Sequence, residues 1–232
     1  GEKTSYRFSQ LAYMDIPGCE PCHTKAGADK VDTLQSLVRG NARATAAAAY
    51  FYNKPGALCE CFHSLGWGGT LQDARNIAEN LVLLGISYLV PHGFFYSTHA
   101  LKKHDAPPTF FFQMPYWRFF GALSQRLERI TTAFVDTWID ADTIVLDPNA
   151  GLPDRDDRDV CEVLYHALMA NRVEFMVADT DIIAAATVQN GALQCRDLNI
   201  RRILVPPMRA PEPEWLETAA RLRLQGIECR DI

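Results

Sequence analysis

The sequence predicts an α/β protein built on parallel sheets, and three observations predict it. Short apolar runs alternate with amphipathic helical stretches along the chain. Before Asp140 the alternation fits three strand–helix units, whereas a closed eight-unit barrel takes about 250 residues. That stretch is therefore part of a barrel or half of a doubly wound sheet. After Asp140 the rhythm changes to that of a flavodoxin-type open sheet. The boundary falls at about 139–142.

The elements follow in order. "YRFSQLAYMDIPG" (6–18) reads as an apolar strand ending near Asp15, stopped by Pro17 and Gly18. "ADKVDTLQSLVRGNARATAAAAYFY" (28–52) is alanine-rich and reads as one or two helices, with a break at Gly40–Asn41. "KPGALCECF" (54–62) is a short buried strand after a Pro-Gly turn. "TLQDARNIAENLVLLGI" (70–86) is an amphipathic helix. Thr70 can cap it with Asp73, and Leu71, Ala74, Ile77, Ala78, Leu81 and Leu84 share a face. "SYLVPHGFFYS" (87–97) is a strand running into a loop, and 116–139 is one long helix.

Beyond Asp140, 142–149 is a strand and turn, 158–172 a helix, and 173–179 a strand. "DTDIIAAATVQNG" (179–191) reads as a short helix closed by Asn190-Gly191. Then come a strand at 201–207, a helix at 212–226 and a strand start at 227–232.

Bulk composition narrows the function. With 48% hydrophobic and 22% charged residues, the 232-residue chain has ordinary globular composition and can bury a sizeable core. A net charge of −5 argues against nucleic acid as a partner. The densest basic groups are only Lys102, Lys103 and His104, then Arg201 and Arg202. No run approaches the roughly 20 apolar residues that span a bilayer, so no membrane partner is expected; "LVLLGISYLV" is about half that length and Gly85 breaks it. The N-terminus lacks a signal pattern. "GEKTSYRF" reads as an internal segment rather than a native start, and "GIECRDI" stops where a strand should begin. Seven cysteines, an odd number, favour reduced thiols and hence a reducing cytoplasm over a disulfide framework.

In parallel α/β architectures chemistry sits at the carboxyl ends of strands. Three such ends carry polar groups: Asp15, Glu20 and His23; Glu60, His63 and Trp67; His92, Tyr96, Ser97 and His99. Carboxylates, histidines and aromatics on one rim suit a sugar cleft, where rings stack on sugars and carboxylates do acid–base work. Strand alternation puts Cys59, Cys61 and His63 on one side and Glu60 and Phe62 on the other. A glutamate in an apolar strand is costly to bury without a partner. Glu60 is therefore either aimed into a cleft or paired with a buried cation.

His92 is a donor to a substrate hydroxyl or a hydrogen-bonded core histidine. Trp67, between glycines, is a stacking ring or a loop plug. Tyr116 and Trp117 line the cleft mouth or pack in the core. "CEPCH" (19–23) has haem-attachment spacing, but no second axial ligand is marked. Cys19, Cys22, Cys59 and Cys61 are an alternative tetrahedral zinc set, although C-x-C within a strand is poor ligand geometry and buried free thiols are common. "GWGG" lacks the lysine and spacing of nucleotide loops, and no G-x-S-x-G elbow is present.

"MDIPGCE", "KPGALCECFHSLGWGGTLQDARNIAENLVLLGISYLVPHGFFYS" and "PYWRFFGALSQRLERI" resemble the later part of the catalytic barrel of glycoside hydrolases of the α-L-rhamnosidase type, family 106. The segment from "DTIVLDPN" to "WLETAARLRLQG" resembles the flavodoxin-like domain that follows that barrel. A similar domain mediates trimers in family 42 β-galactosidases. The resemblance implies a partial (β/α) barrel over 1–140 and a flavodoxin-like domain over 141–232.

It further implies a glycosidase acting on a terminal deoxyhexose or hexose, with Glu60 at a catalytic carboxylate position. In inverting hydrolysis Glu60 is the general base that activates water. Asp15, His63, Trp67, His92, Tyr96 and Trp117 are the expected sugar-binding residues. The family's calcium is an expected cofactor, and a homo-oligomer or the remainder of the same enzyme an expected partner. The alternatives are a non-catalytic carbohydrate-binding or oligomerisation module and a cysteine-liganded zinc protein.

Overall fold

Alanine-rich helix α1, Gly40–Phe51, joins two apolar cores. Ala42, Ala46 and Ala49 pack into one, Ala44, Ala47 and Ala48 into the other. Small side chains let a helix lie close to neighbours on both faces, and a helix apolar all round is a buried helix. The computed structural model describes residues 8–20, 40–63, 65–104, 107–147, 155–208 and 210–232, without the side chains of 155–160 and 162.

On one side of α1 lies a parallel sheet of three strands, β1 (Gly18–Cys19), β2 (Leu58–Cys61) and β3 (Tyr88–Pro91), in that spatial order. Helix α2, Leu71–Leu83, connects β2 to β3, and α3, Phe120–Ala133, follows β3. The other side holds β4 (Thr143–Leu146), α4 (Arg155–Ala170) and β5 (Met176–Ala178). Next come α5 (Thr180–Ala185) and an antiparallel sheet of β6 (Thr187–Gln189), β7 (Ala192–Cys195) and β8 (Leu198–Ile200). Then β9 (Arg202–Val205), α6 (Pro213–Leu224) and β10 (Glu228–Asp231) complete a four-stranded parallel sheet ordered β10-β9-β4-β5. The chain is thus mixed α/β with two parallel sheets. Among the described residues, no helix is long and apolar enough to cross a membrane.

Four helices end the same way. Gly85, after α2, takes φ +96° and donates to the carbonyl of Val82, while Ile86 N–H donates to that of Leu81. This paired closure is a Schellman motif, and buried Ile86 and Leu81 supply its apolar contact. Asn53 after α1, Arg172 after α4 and Gly226 after α6 repeat it with positive φ. Each closure sends the chain back toward a sheet within a few residues. At the other end of α2, the Thr70–Asp73 capping box forms in both directions.

Three expectations are corrected. Residues 8–13 form a 3-10 turn rather than a strand. Its Phe8 and Leu11, three apart and so on one face, are fully buried against the core that α1 shares. Asn190-Gly191 does not close a helix. Both residues have positive φ, and they turn β6 antiparallel into β7, a conformation Asn-Gly favours. The long helix expected at 116–139 is a 3-10 turn, Trp117–Phe119, followed by α3 alone. The part of the alanine-rich stretch before residue 40 lies outside the described residues.

Candidate active site

The carboxyl ends of β1, β2 and β3 gather two glutamates and two histidines. Cys19 pairs in register with Cys59, so Glu20 and Glu60 are the next neighbours across the two parallel strands. In-register neighbours sit about 4.8 Å apart. Glu60 pairs in register with Val90, two residues before His92. His92 N–H donates to the Cys61 carbonyl at 2.8 Å, which fixes the start of its loop.

Glu60 is not buried with a cation. Its Oε1 lies 3.0 Å from His92 Nδ1, and its side chain remains 45% exposed. Along β2, Cys59 and Cys61 are buried while Leu58 and Glu60 are more open, so alternation separates the carboxylate from the thiols. The alternation stops at Phe62, whose φ is +77°. Phe62 is buried against Phe110 instead of following Glu60 outward. His63 is thereby turned off the thiol face on which simple alternation placed it. It is itself buried, and its Nε2 comes 2.6 Å from Glu20 Oε1. Its ring stands 6.1 Å from that of His92. Two carboxylate–imidazole pairs therefore stand side by side. A neighbouring imidazole orients a carboxylate and can exchange a proton with it.

Glu20, which the sequence places at the first strand end but not among the expected catalytic or sugar-binding residues, joins the site through register. The signal was a repeated dipeptide: "GCE" and "LCEC" both carry Cys-Glu, and these align on adjacent parallel strands. Asn41 on α1 was missed too. Its side-chain amide donates to the Glu20 carbonyl at 2.8 Å and holds the end of β1. A recess of about 470 Å³ opens here, lined by Gly18, Cys19, Glu20, Asn41, Leu58 and Glu60. His92 Nε2 is buried and has no hydrogen-bond partner among the described residues. Another cavity, about 440 Å³, lies away from this rim; Ser87 and Glu174 line it, just ahead of β3 and β5.

The loops after β2 and β3 are tied together. Trp67 Nε1 donates to the Lys103 carbonyl, and Gly66 N–H to that of Pro107. Thr109 accepts from Phe95 N–H and donates to the Gly93 carbonyl, while Gln113 donates to the Phe95 carbonyl. Trp67 thus spends its polar edge on the loop while its ring stays partly exposed. Trp117 stacks on Phe120 and meets Phe94 and Phe111 edge-on, at centroid distances of 5.1–5.7 Å. Tyr96 is almost fully exposed.

Asp15 is not at a carboxyl end: it lies three residues before β1, exposed, on the amino side of the strand. Cys22 and His23 lie outside the described residues. Among the described residues no group of three or more His, Cys, Asp or Glu can hold a metal ion. Cys19, Cys59 and Cys61 do not make a zinc site by themselves. The described cysteines are free thiols.

No protein-family model matches the chain, and no curated protein matches it. A solved rhamnosidase from Novosphingobium sp. PP1Y does match in structure. It is similar over 97% of this chain with a TM-score of 0.65 and 11% sequence identity. At that identity the likeness is one of fold. This chain spans 21% of the rhamnosidase's length.

Proposed function

We propose that this chain carries the carboxylate rim of a glycoside hydrolase acting on a terminal deoxyhexose or hexose, in the manner of an α-L-rhamnosidase. The observation that carries the reading is the pair of in-register glutamates at adjacent strand ends, each set against a histidine. Cleaving a glycosidic bond takes two carboxyl groups around an oxocarbenium-like transition state. In this reading Glu60 takes the proton from the attacking water, and His92 holds Glu60 in place. As a nucleophile, Glu60 would instead bond to the anomeric carbon. Glu20 is the nearest second carboxylate for the acid's task of protonating the leaving oxygen. The buried, unpartnered Nε2 of His92 suits a sugar hydroxyl. In this reading the exposed rings of Trp67 and Tyr96, on the loops that follow β2 and β3, are the stacking surfaces for a sugar, and Trp117 supports the second loop through its contact with Phe94.

The structural likeness to a rhamnosidase supports this reading at the level of fold. Because the chain spans a fifth of that protein, the activity is proposed for a full-length protein in which further barrel strands complete the cleft. The four-stranded sheet, counted from its own first strand, runs 2-1-3-4. That order supports a flavodoxin-like second domain over 141–232. Such a domain is a candidate oligomerisation surface.

A second reading, a non-catalytic sugar-binding module, is favoured by one observation: both glutamates remain about half exposed. Hydrolysis of nitrophenyl glycosides by the full-length protein separates the two readings. Turnover that Glu60→Gln abolishes supports the enzyme. Sugar binding without turnover supports the module.

A further inference from the structure

The geometry points to Cys19 and Cys59 as a thiol pair that closes into a reversible disulfide directly beneath the two glutamates. The two residues are partners in register on parallel β1 and β2, and both belong to the same buried cluster, so their side chains share a face. Neighbouring strands put in-register Cα atoms about 4.8 Å apart, inside the roughly 4.4–6.8 Å that a disulfide spans. The two thiols are near enough to shift one another's ionisation in opposite directions, and buried Thr45 on α1 acts on Cys19 as well.

The third thiol of the cluster faces the other way: Cys61 Sγ donates to the Val90 carbonyl on β3 at 3.6 Å, away from β1, whereas Cys59 Sγ donates to the Glu60 carbonyl of its own strand at 3.4 Å. The two members of the pair also differ in a useful way. Cys59 is fully buried, whereas Cys19 keeps a small exposed surface and lines the recess it shares with Glu20 and Glu60. Cys59 and then Thr45 hold the Cys19 thiol below its ordinary range against the opposing effect of burial. Cys19 is therefore the sulfur an oxidant meets first.

The chemistry balances with a small-molecule disulfide such as oxidised glutathione. Cys19 thiolate attacks one sulfur, forms a mixed disulfide and releases one glutathione thiolate. Cys59 loses its proton, attacks the Cys19 sulfur and releases the second glutathione. The pair gives up two electrons and two protons, and the small disulfide becomes two thiols. Each cysteine immediately precedes one of the paired glutamates, so the bond forms where the recess is framed.

The test is peptide mapping of the reduced protein after incubation with oxidised glutathione, with free thiols blocked before digestion. The expected product is a cross-linked peptide joining Cys19 and Cys59, two hydrogens lighter than its halves and reopened by dithiothreitol. It should persist in Cys61→Ser and vanish in Cys19→Ser and Cys59→Ser. Circular dichroism on the three variants checks that they fold. The inference is overturned if Cys19 and Cys59 stay free while the more exposed Cys229 reacts, or if Cys19 stops at the mixed disulfide. It is equally overturned if Cys19 links to Cys22 or Cys61. None of these outcomes depends on glycosidase activity.

Discussion

Glu60 Oε1 and His92 Nδ1 meet at 3.0 Å across neighbouring parallel strands, each one step from its strand's carboxyl end. The strand register sets this contact, and the backbone bond from His92 N–H to the Cys61 carbonyl reinforces it. A hydrogen bond to a charged group is worth about 1.5–3 kcal/mol, or roughly 10–150-fold in rate if it acts in the transition state. His92→Phe should therefore lower kcat by about that factor in the full-length protein. KM should change little, and His92→Gln, which keeps a hydrogen-bonding group near Glu60, should recover part of the loss. A fall in stability with kcat unchanged would assign His92 a purely structural role.

Thr70→Ala should cost about 1 kcal/mol. The Thr70 hydroxyl accepts from Asp73 N–H and donates to Asp73 Oδ2, so the variant leaves that N–H without its acceptor, while the backbone N–H of residue 70 keeps the Asp73 carboxylate. Thermal denaturation should show a midpoint lower by roughly 2–4 °C. An unchanged midpoint would mean that the start of α2 is held by packing alone.

The helix-closing positions predict opposite signs for two glycine exchanges. At Gly85 an added Cβ would sit 2.8 Å from Ala46 Cβ and 3.2 Å from an Ile139 methyl carbon, at φ +96°. Gly85→Ala should destabilise by about 2 kcal/mol or more, combining left-handed strain with overpacking against α1. Arg172 occupies the equivalent position after α4 at φ +56° and is exposed. Arg172→Gly should stabilise by about 0.5–1 kcal/mol by relieving that strain. Chemical denaturation of the two variants reads both signs.

Stability should fall on the alkaline side. Burial pushes the Cys195 thiol and the Tyr116 phenol each up to about 12. Groups whose folded-state pKa is raised bind more protons in the folded state than in the unfolded one. Their stabilisation is complete below the unfolded values, about 8.5 for a thiol and 10 for a phenol. It declines as pH rises toward 12. Melting curves from pH 7 to 11 should show a falling midpoint above about pH 9. Cys195→Ala should flatten the early part of that fall, and a midpoint indifferent to pH across this range would contradict the argument.

Helices and central strands were legible because their signals are local. Thr70 and Asp73 announce the start of α2, and apolar spacing defines its face. What escaped depended on backbone sign or strand register. "FSQL" is apolar enough for a strand, but its buried residues are three apart, and only packing against α1 reveals that spacing as a 3-10 turn. Asn190-Gly191 favours positive φ in either setting, and only the partner segment after it decides for a hairpin.

Phe62 at positive φ reversed the faces assigned beyond Cys61, which moved His63 off the thiol side and against Glu20. Glu20 itself became a site residue through register. Its strand starts after Pro17, not before it, so Glu20 rather than Asp15 stands at the carboxyl end.

The proposal that Glu60 performs carboxylate catalysis is tested most directly by steady-state hydrolysis of a nitrophenyl α-L-rhamnoside by the full-length protein and its Glu60→Gln variant. The amide keeps the size and hydrogen-bonding reach of the side chain but cannot take a proton from water. The account predicts a fall in kcat of about 10²–10⁴-fold, the span of positioned acid–base groups, with KM changed little. Unchanged kcat in a folded Glu60→Gln protein would contradict it.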